Sequence, residues 1–170
     1  TNYRSSKEII HSADNLIKLN KSRFDKENSP DNFYYHLVLL AENNKGYDNL
    51  IKIVSYGFKD GFYYKPRVDI ELLEKYHEGI IALSACLAGP VARTIIRQGY
   101  DKAKEVALRY NNIFGENNFF LELQDHMDGS VDQQTVNQSL MRMHQETGIP
   151  LVATNDCHYI SPRYSPLYTD

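Results

Sequence analysis

Apolar positions recur at two different periods along the chain, and each change of period marks an element. Ser5, with Glu8 three residues later, makes a capping-box pattern, and Ile9, Ile10, Ala13, Leu16 and Ile17 follow at helical spacing, predicting a first helix from Ser5. Residues 20–32 are polar and mixed in charge, with Pro30 near their end, and read as a surface loop. Residues 33–41 form a nearly continuous apolar run, the mark of a strand covered on both faces. Helical spacing returns over residues 46–59, with Tyr47, Leu50, Ile51, Val54 and Phe58 on the face that should be buried.

The later chain repeats this alternation. Asp69 is placed to cap a short helix that stops at Gly79, and residues 80–84 read as a short buried strand. Pro90 after Gly89 suits a first helical turn, and Asp101 reads as the cap of a further helix ending near Gly115. Residues 119–123 predict a strand, residues 131–147 a helix closed by Gly148 and Pro150, and residues 151–154 a last short buried strand. Strands alternating with helices imply an α/β fold with parallel strands, either barrel or doubly wound.

Composition narrows the class. The 170 residues carry 42% hydrophobic and 24% charged side chains, close to ordinary globular usage. No apolar run approaches the roughly 20 residues that a membrane helix needs. A net charge of −3 gives no overall basic surplus for a stand-alone nucleic-acid binder. Two cysteines, Cys86 and Cys157, make no disulfide framework and fit a reducing, cytoplasmic setting. The first residues lack an initiator methionine and a signal-like apolar stretch, so the chain is expected to be a piece of something longer.

Chemistry in such folds gathers where strands end. Asp156 and His158 follow the last strand with one residue between them, so in extended chain both side chains leave on the same side. Two readings stand: a carboxylate and an imidazole sharing a divalent metal, or a turn in which Asp156 caps and His158 bonds to it. Cys157 alternates with that pair and reads as packing. Cys86, after the strand at 80–84, reads on its own as a small buried hydrophobe. His36 sits in the apolar run and reads on its own as a hydrogen-bonded core histidine, since it precedes most of its strand. His126 follows the strand at 119–123 and can face the same rim, whereas His11, His77 and His144 fall at helical, solvated positions. Residues 61–67 interleave aromatics with Lys65 and Arg67, a mix that either holds phosphate and stacks on bases or makes a tight turn packed on the next helix. Phosphate-loop, kinase, serine-hydrolase and zinc-finger patterns are absent.

Five segments occur in order: His-Leu-Val-Leu-Leu-Ala-Glu-Asn-Asn-Lys-Gly-Tyr at 36–47, Gly-Phe-Tyr-Tyr-Lys-Pro-Arg at 61–67, Ile-Ile-Ala-Leu-Ser-Ala-Cys-Leu-Ala-Gly at 80–89, Phe-Leu-Glu-Leu-Gln-Asp-His at 120–126 and Leu-Val-Ala-Thr-Asn-Asp-Cys-His-Tyr at 151–159. Together they resemble the PHP (polymerase and histidinol phosphatase) domain of bacterial DNA polymerase III alpha subunits, over residues 22–160. Residues 1–21 carry no segment of this likeness.

The resemblance implies a distorted seven-stranded βα barrel with a metal cluster at one mouth. Matched motif by motif, it makes His36, Cys86, Asp156 and His158 metal ligands, with Asp156 and His158 closest to the chemistry. The thiolate of Cys86 would suit zinc. The family's early His-x-His and Gly-Cys-Glu segments do not occur in this sequence. The expectation is therefore an internal, partial barrel lacking the first strands, whose cluster is completed outside it. Residues 1–32 would form an N-terminal helix and loop, 33–160 the barrel portion and 161–170 an extension.

Three functions follow from the resemblance. One is the PHP part of a replicative DNA polymerase, binding zinc or manganese and acting as a 3′–5′ exonuclease or phosphoesterase, with magnesium serving the parent polymerase. A second is a silent scaffold that docks a proofreading exonuclease. The third is a free-standing phosphatase. Implied partners are DNA, the proofreading exonuclease and the sliding clamp, with no membrane; Lys65, Arg67 and His126 are candidate phosphate contacts.

Overall fold

The side chain of Asn43 accepts a hydrogen bond from Gly46 N–H at 3.0 Å and so converts an extended segment into a helix. The computed structural model describes residues 34–62, 65–125 and 130–155. Along these residues run β1 (Val38–Ala41), α1 (Asn44–Lys59), α2 (Ile70–Tyr76), β2 (Ile80–Leu83), α3 (Pro90–Gln98), α4 (Tyr100–Phe114), β3 (Phe119–Gln124), α5 (Val131–Thr147) and β4 (Leu151–Thr154). Asp69 caps α2 through Leu72 N–H at 2.8 Å, and Ser130 caps α5 through Gln133 N–H at 3.3 Å. Pro90 opens α3 as predicted. The cap of α4 is Gly99, not Asp101: with φ of 90° it ends α3 and starts α4 with no loop between, leaving Asp101 in the first turn, where its charge suits the helix N-terminus. The predicted first helix and residues 156–170 lie outside the described residues.

The four strands lie in the order β1-β2-β3-β4. β2 and β3 pair in parallel with Ala82 opposite Phe119, and β3 and β4 in parallel with Leu121 opposite Leu151. β1 departs from the all-parallel expectation. Glu42, just past its end, donates its N–H to Gly79 O, just before β2, while His36, ahead of β1, donates to Ala88 O, beyond the end of β2. The two strands therefore run antiparallel, and the sheet is mixed. The cause is the α1–α2 connection, which leaves β1 and re-enters β2 at the same end. Its mouth is pinned by Glu42 N–H to Gly79 O at 2.9 Å and by Asn49 Nδ2 to Glu78 O at 2.9 Å. A side chain on Gly46 would meet Gly79 O at 1.7 Å, so only glycine permits that closeness.

Contacts divide the chain into two units, one holding Tyr34, Tyr35 and Leu39–Ile81, the other His36–Val38 and the residues from Ala82 onward. In the first, α1 packs through a face about a third of a turn away from the predicted one. Gly46, Asn49, Ile53 and Gly57 are buried, while Tyr47 is 60% exposed and Phe58 59%. Small residues at 46 and 57 admit neighbouring backbone, and Asn49 is held by its bond to Glu78, so close main-chain approach decides the face rather than apolar area. β1 is likewise not covered on both faces, since Leu40 is 50% exposed. In the second unit, α3, α4 and α5 bury Val91, Ala103, Ala107, Leu140 and Met143 with Phe119 and Leu121 of β3. β4 is half-buried rather than buried.

Candidate functional site

Beyond the end of β2 the chain makes a constrained turn. Ser84 N–H donates to Phe120 O at 3.0 Å, which continues the ladder to β3. Ala85 then adopts φ of 62°, a left-handed conformation that costs an L-residue about 1–2 kcal/mol. Gly89 closes the turn by donating to Cys86 O at 2.7 Å, and a Cβ on it would lie 2.0 Å from Ser84 O. Cys86, half-buried and free, sits at the top of this turn.

His36 reaches the same turn through its backbone bond to Ala88 O at 3.1 Å, which sets His36 Nδ1 3.6 Å from Cys86 Sγ. The imidazole is exposed, not a core histidine. The antiparallel course of β1 explains its place. The start of β1 lies at the rim where β2 ends, so a residue ahead of its strand arrives where the others follow theirs.

Beneath the turn is a buried polar cluster. Glu122, 5% exposed, accepts Ala85 N–H on Oε2 at 3.0 Å, and on Oε1 accepts Gln124 Nε2 at 3.1 Å and the Thr154 hydroxyl. Glu122 N–H in turn donates to Ser84 Oγ at 2.9 Å. Three donors satisfy the carboxylate without a cation, so its burial is not left uncompensated. Sequence reading passed over Glu122, Ser84 and Thr154. The available signal was a glutamate in an apolar strand, Phe-Phe-Leu-Glu-Leu-Gln, at a position whose alternation places it with Phe120 and Gln124.

Of the predicted ligands, His36 and Cys86 come together, while Asp156 and His158, and with them the candidate phosphate contact His126, lie outside the described residues. Among the described residues no three His, Cys, Asp or Glu side chains group so as to hold a metal ion. Two ligand atoms on one tetrahedral zinc, with Zn–S about 2.3 Å and Zn–N about 2.0–2.1 Å, stand roughly 3.5 Å apart, so the donor pair present fits that metal. Lys65 and Arg67 belong to the other unit and lie over the Tyr34 ring, each 5.2 Å from its centroid. Arg67 N–H closes their loop onto Gly61 O at 3.2 Å. His144 is not merely solvated, for its Nδ1 lies 2.8 Å from Ile149 O where α5 ends; His77 Nδ1 similarly lies 2.7 Å from Glu74 O.

Parallel strands β2, β3 and β4 alternating with helices, in a sheet whose β1 runs the other way, define an α/β fold, and Cys86, His36 and Glu122 gather around the turn after β2. The chain belongs to the PHP domain family, which matches it over residues 7–126. That span takes in residues 7–21, which the motif likeness left unplaced, and stops short of Asp156 and His158. The chain is 47% identical over 127 residues to a DNA polymerase III subunit alpha of Borreliella burgdorferi, covering 75% of this chain and 11% of that protein. Proteins of the same name from Aquifex aeolicus and Helicobacter pylori are 39% identical over 142 residues and 40% over 164, covering 84% and 90% of this chain and 12% of each protein. The chain thus spans about a tenth of the length of these relatives.

Proposed function

We propose that this chain is the PHP portion of a DNA polymerase III alpha subunit and contributes ligands to a divalent-metal cluster that hydrolyses phosphodiesters. The observation that carries the reading is the approach of His36 Nδ1 to Cys86 Sγ at the strand-end rim, in a chain whose relatives bear that name. The described strands would be part of a distorted seven-stranded barrel, with residues 33–160 forming its portion here, 1–32 an N-terminal segment and 161–170 an extension.

His36 and Cys86 would hold the metal from β1 and β2, and Asp156 and His158 from the segment after β4, where Thr154 bonds to Glu122. The donor set, one thiolate with imidazoles and a carboxylate, suits zinc, with manganese as the alternative. A bound divalent cation supplies a water of lowered pKa and polarises the phosphoryl oxygen. Asp156 and His158 would orient the reacting groups, and His126 would neutralise phosphate. In the hydrolysis, water oxygen bonds to phosphorus while the bond to the 3′ oxygen breaks, and that oxygen leaves with a proton. The substrate is the 3′ end of DNA; magnesium, the proofreading exonuclease and the sliding clamp serve the parent polymerase, and the setting is the cytoplasm.

A second reading is a scaffold without chemistry. Metal content and exonuclease assays of the intact protein carrying this sequence separate the two. The proposal expects bound zinc or manganese, and Asp156→Ala should abolish nuclease activity while primer extension persists. Metal-free protein without nuclease leaves the scaffold.

A further inference from the structure

We infer that Glu122 is a positioning residue for the metal-holding thiol: it locks the left-handed turn at Ala85 that aims Cys86 at His36. Four observations carry this. Ala85 has φ of 62°, a conformation unfavourable for any residue with a Cβ. Glu122 Oε2 takes Ala85 N–H at 3.0 Å. Ser84 Oγ takes the main-chain N–H of Glu122 at 2.9 Å, so the turn is tied to Glu122 twice, Ser84 to its main chain and Ala85 to its carboxylate. The cluster is buried, with Ser84 at 2%, Ala85 at 6% and Glu122 at 5% exposure, so water cannot take over these bonds at low cost.

Glu122 accepts three hydrogen bonds on two oxygens and donates none through its side chain. An amide at this position replaces one oxygen by a donor, so whichever way it flips a donor faces Ala85 N–H or faces Gln124 and Thr154. The turn then loses its restraint, and Cys86 is displaced from His36. Outer partners of ligands act on metals in this way: they fix a ligand's orientation before the metal arrives. The role rests on the metal reading given above, but the turn itself is testable without metal.

The test uses the intact protein and two measurements: amide exchange at Ala85 without metal, and zinc affinity by chelator competition. Glu122→Gln should speed exchange at Ala85 while leaving α5 protected, and weaken zinc by roughly ten- to a hundred-fold. Glu122→Asp keeps the charge but falls one methylene short of Ala85 N–H; it should shift both readouts the same way and serves if the amide variant unfolds. Ala85→Gly placed in the Glu122→Gln background should recover most of the lost zinc affinity, because glycine adopts the left-handed turn freely. Unaltered exchange at Ala85 in both Glu122 variants, or no recovery through glycine, overturns the assignment. Wild-type protein that binds no zinc defeats the metal reading instead, and the exchange data still decide whether Glu122 holds the turn.

Discussion

His36 and Cys86 stand 50 positions apart in the chain, yet His36 Nδ1 lies 3.6 Å from Cys86 Sγ. The approach depends on β1 running against β2. Were β1 parallel, its first residues would lie at the far end of the sheet from Cys86. One backbone bond, His36 N–H to Ala88 O, fixes the imidazole beside the turn.

Replacing Cys86 by serine should therefore lower zinc affinity by at least about tenfold, because a hydroxyl is a poor substitute for a soft thiolate. Stability should move by less than about 1 kcal/mol, since Cys86 is half-buried and outside the apolar core. Chelator competition and urea unfolding of the intact protein measure the two quantities. Unchanged zinc binding would remove Cys86 from the ligand set.

Gly46 and Gly99 separate two reasons for glycine. At Gly46 an added methyl meets Gly79 O at 1.7 Å, and the pinned connection between β1 and β2 must open. Gly99 has open space around it and φ of 90°, so only backbone strain opposes a side chain. Gly46→Ala should cost about 3 kcal/mol or more, as overpacking against backbone does, and Gly99→Ala about 1–2 kcal/mol. Equal losses in denaturant titrations would contradict this account.

Periodicity located α5 and β4 at their observed bounds, because long stripes and Gly-Pro breaks are local signals. It failed where the deciding contact is distant. The direction of β1 follows from Glu42 bonding to Gly79, and the buried face of α1 from glycines admitting backbone; neither contact leaves a mark in hydrophobic spacing. The pairing of Cys86 with His36 was suggested only by family motifs, since each alone reads as part of the core. Glu122 was missed because a strand glutamate looks solvent-facing until Ser84, Ala85 and Thr154 are seen around it.

The shifted buried face of α1 can be tested directly. Ile53 is 3% exposed and Ile51 48%, although Ile51 and not Ile53 lies on the face that the apolar spacing predicts. Ile53→Ala should destabilise by about 2–5 kcal/mol through lost burial and a cavity, and Ile51→Ser by no more than about 0.5 kcal/mol. The opposite ranking in thermal or urea unfolding would restore the face that periodicity predicts.

Acid stability should depend on one surface carboxylate joining α4 to α5. Glu146 Oε2 accepts Lys104 Nζ at 2.8 Å and the Tyr100 hydroxyl at 2.8 Å, while Oε1 accepts Arg142 Nε at 2.7 Å. These donors, Lys104 foremost, favour the ionised form and hold its pKa at about 2, below its ordinary 4.5. With a folded value below the unfolded one, the unfolded state binds the proton more readily, so the contribution is complete above about pH 4.5 and is lost as pH falls through about 2. Glu146→Gln removes that titration. The wild type should lose stability relative to the variant between these two pH values and keep a constant, small advantage at neutral pH, small because the group is exposed and screened. Urea midpoints collected from pH 7 to pH 2 for both proteins check the sign, and curves that stay parallel throughout would show that Glu146 titrates as it does in the unfolded chain.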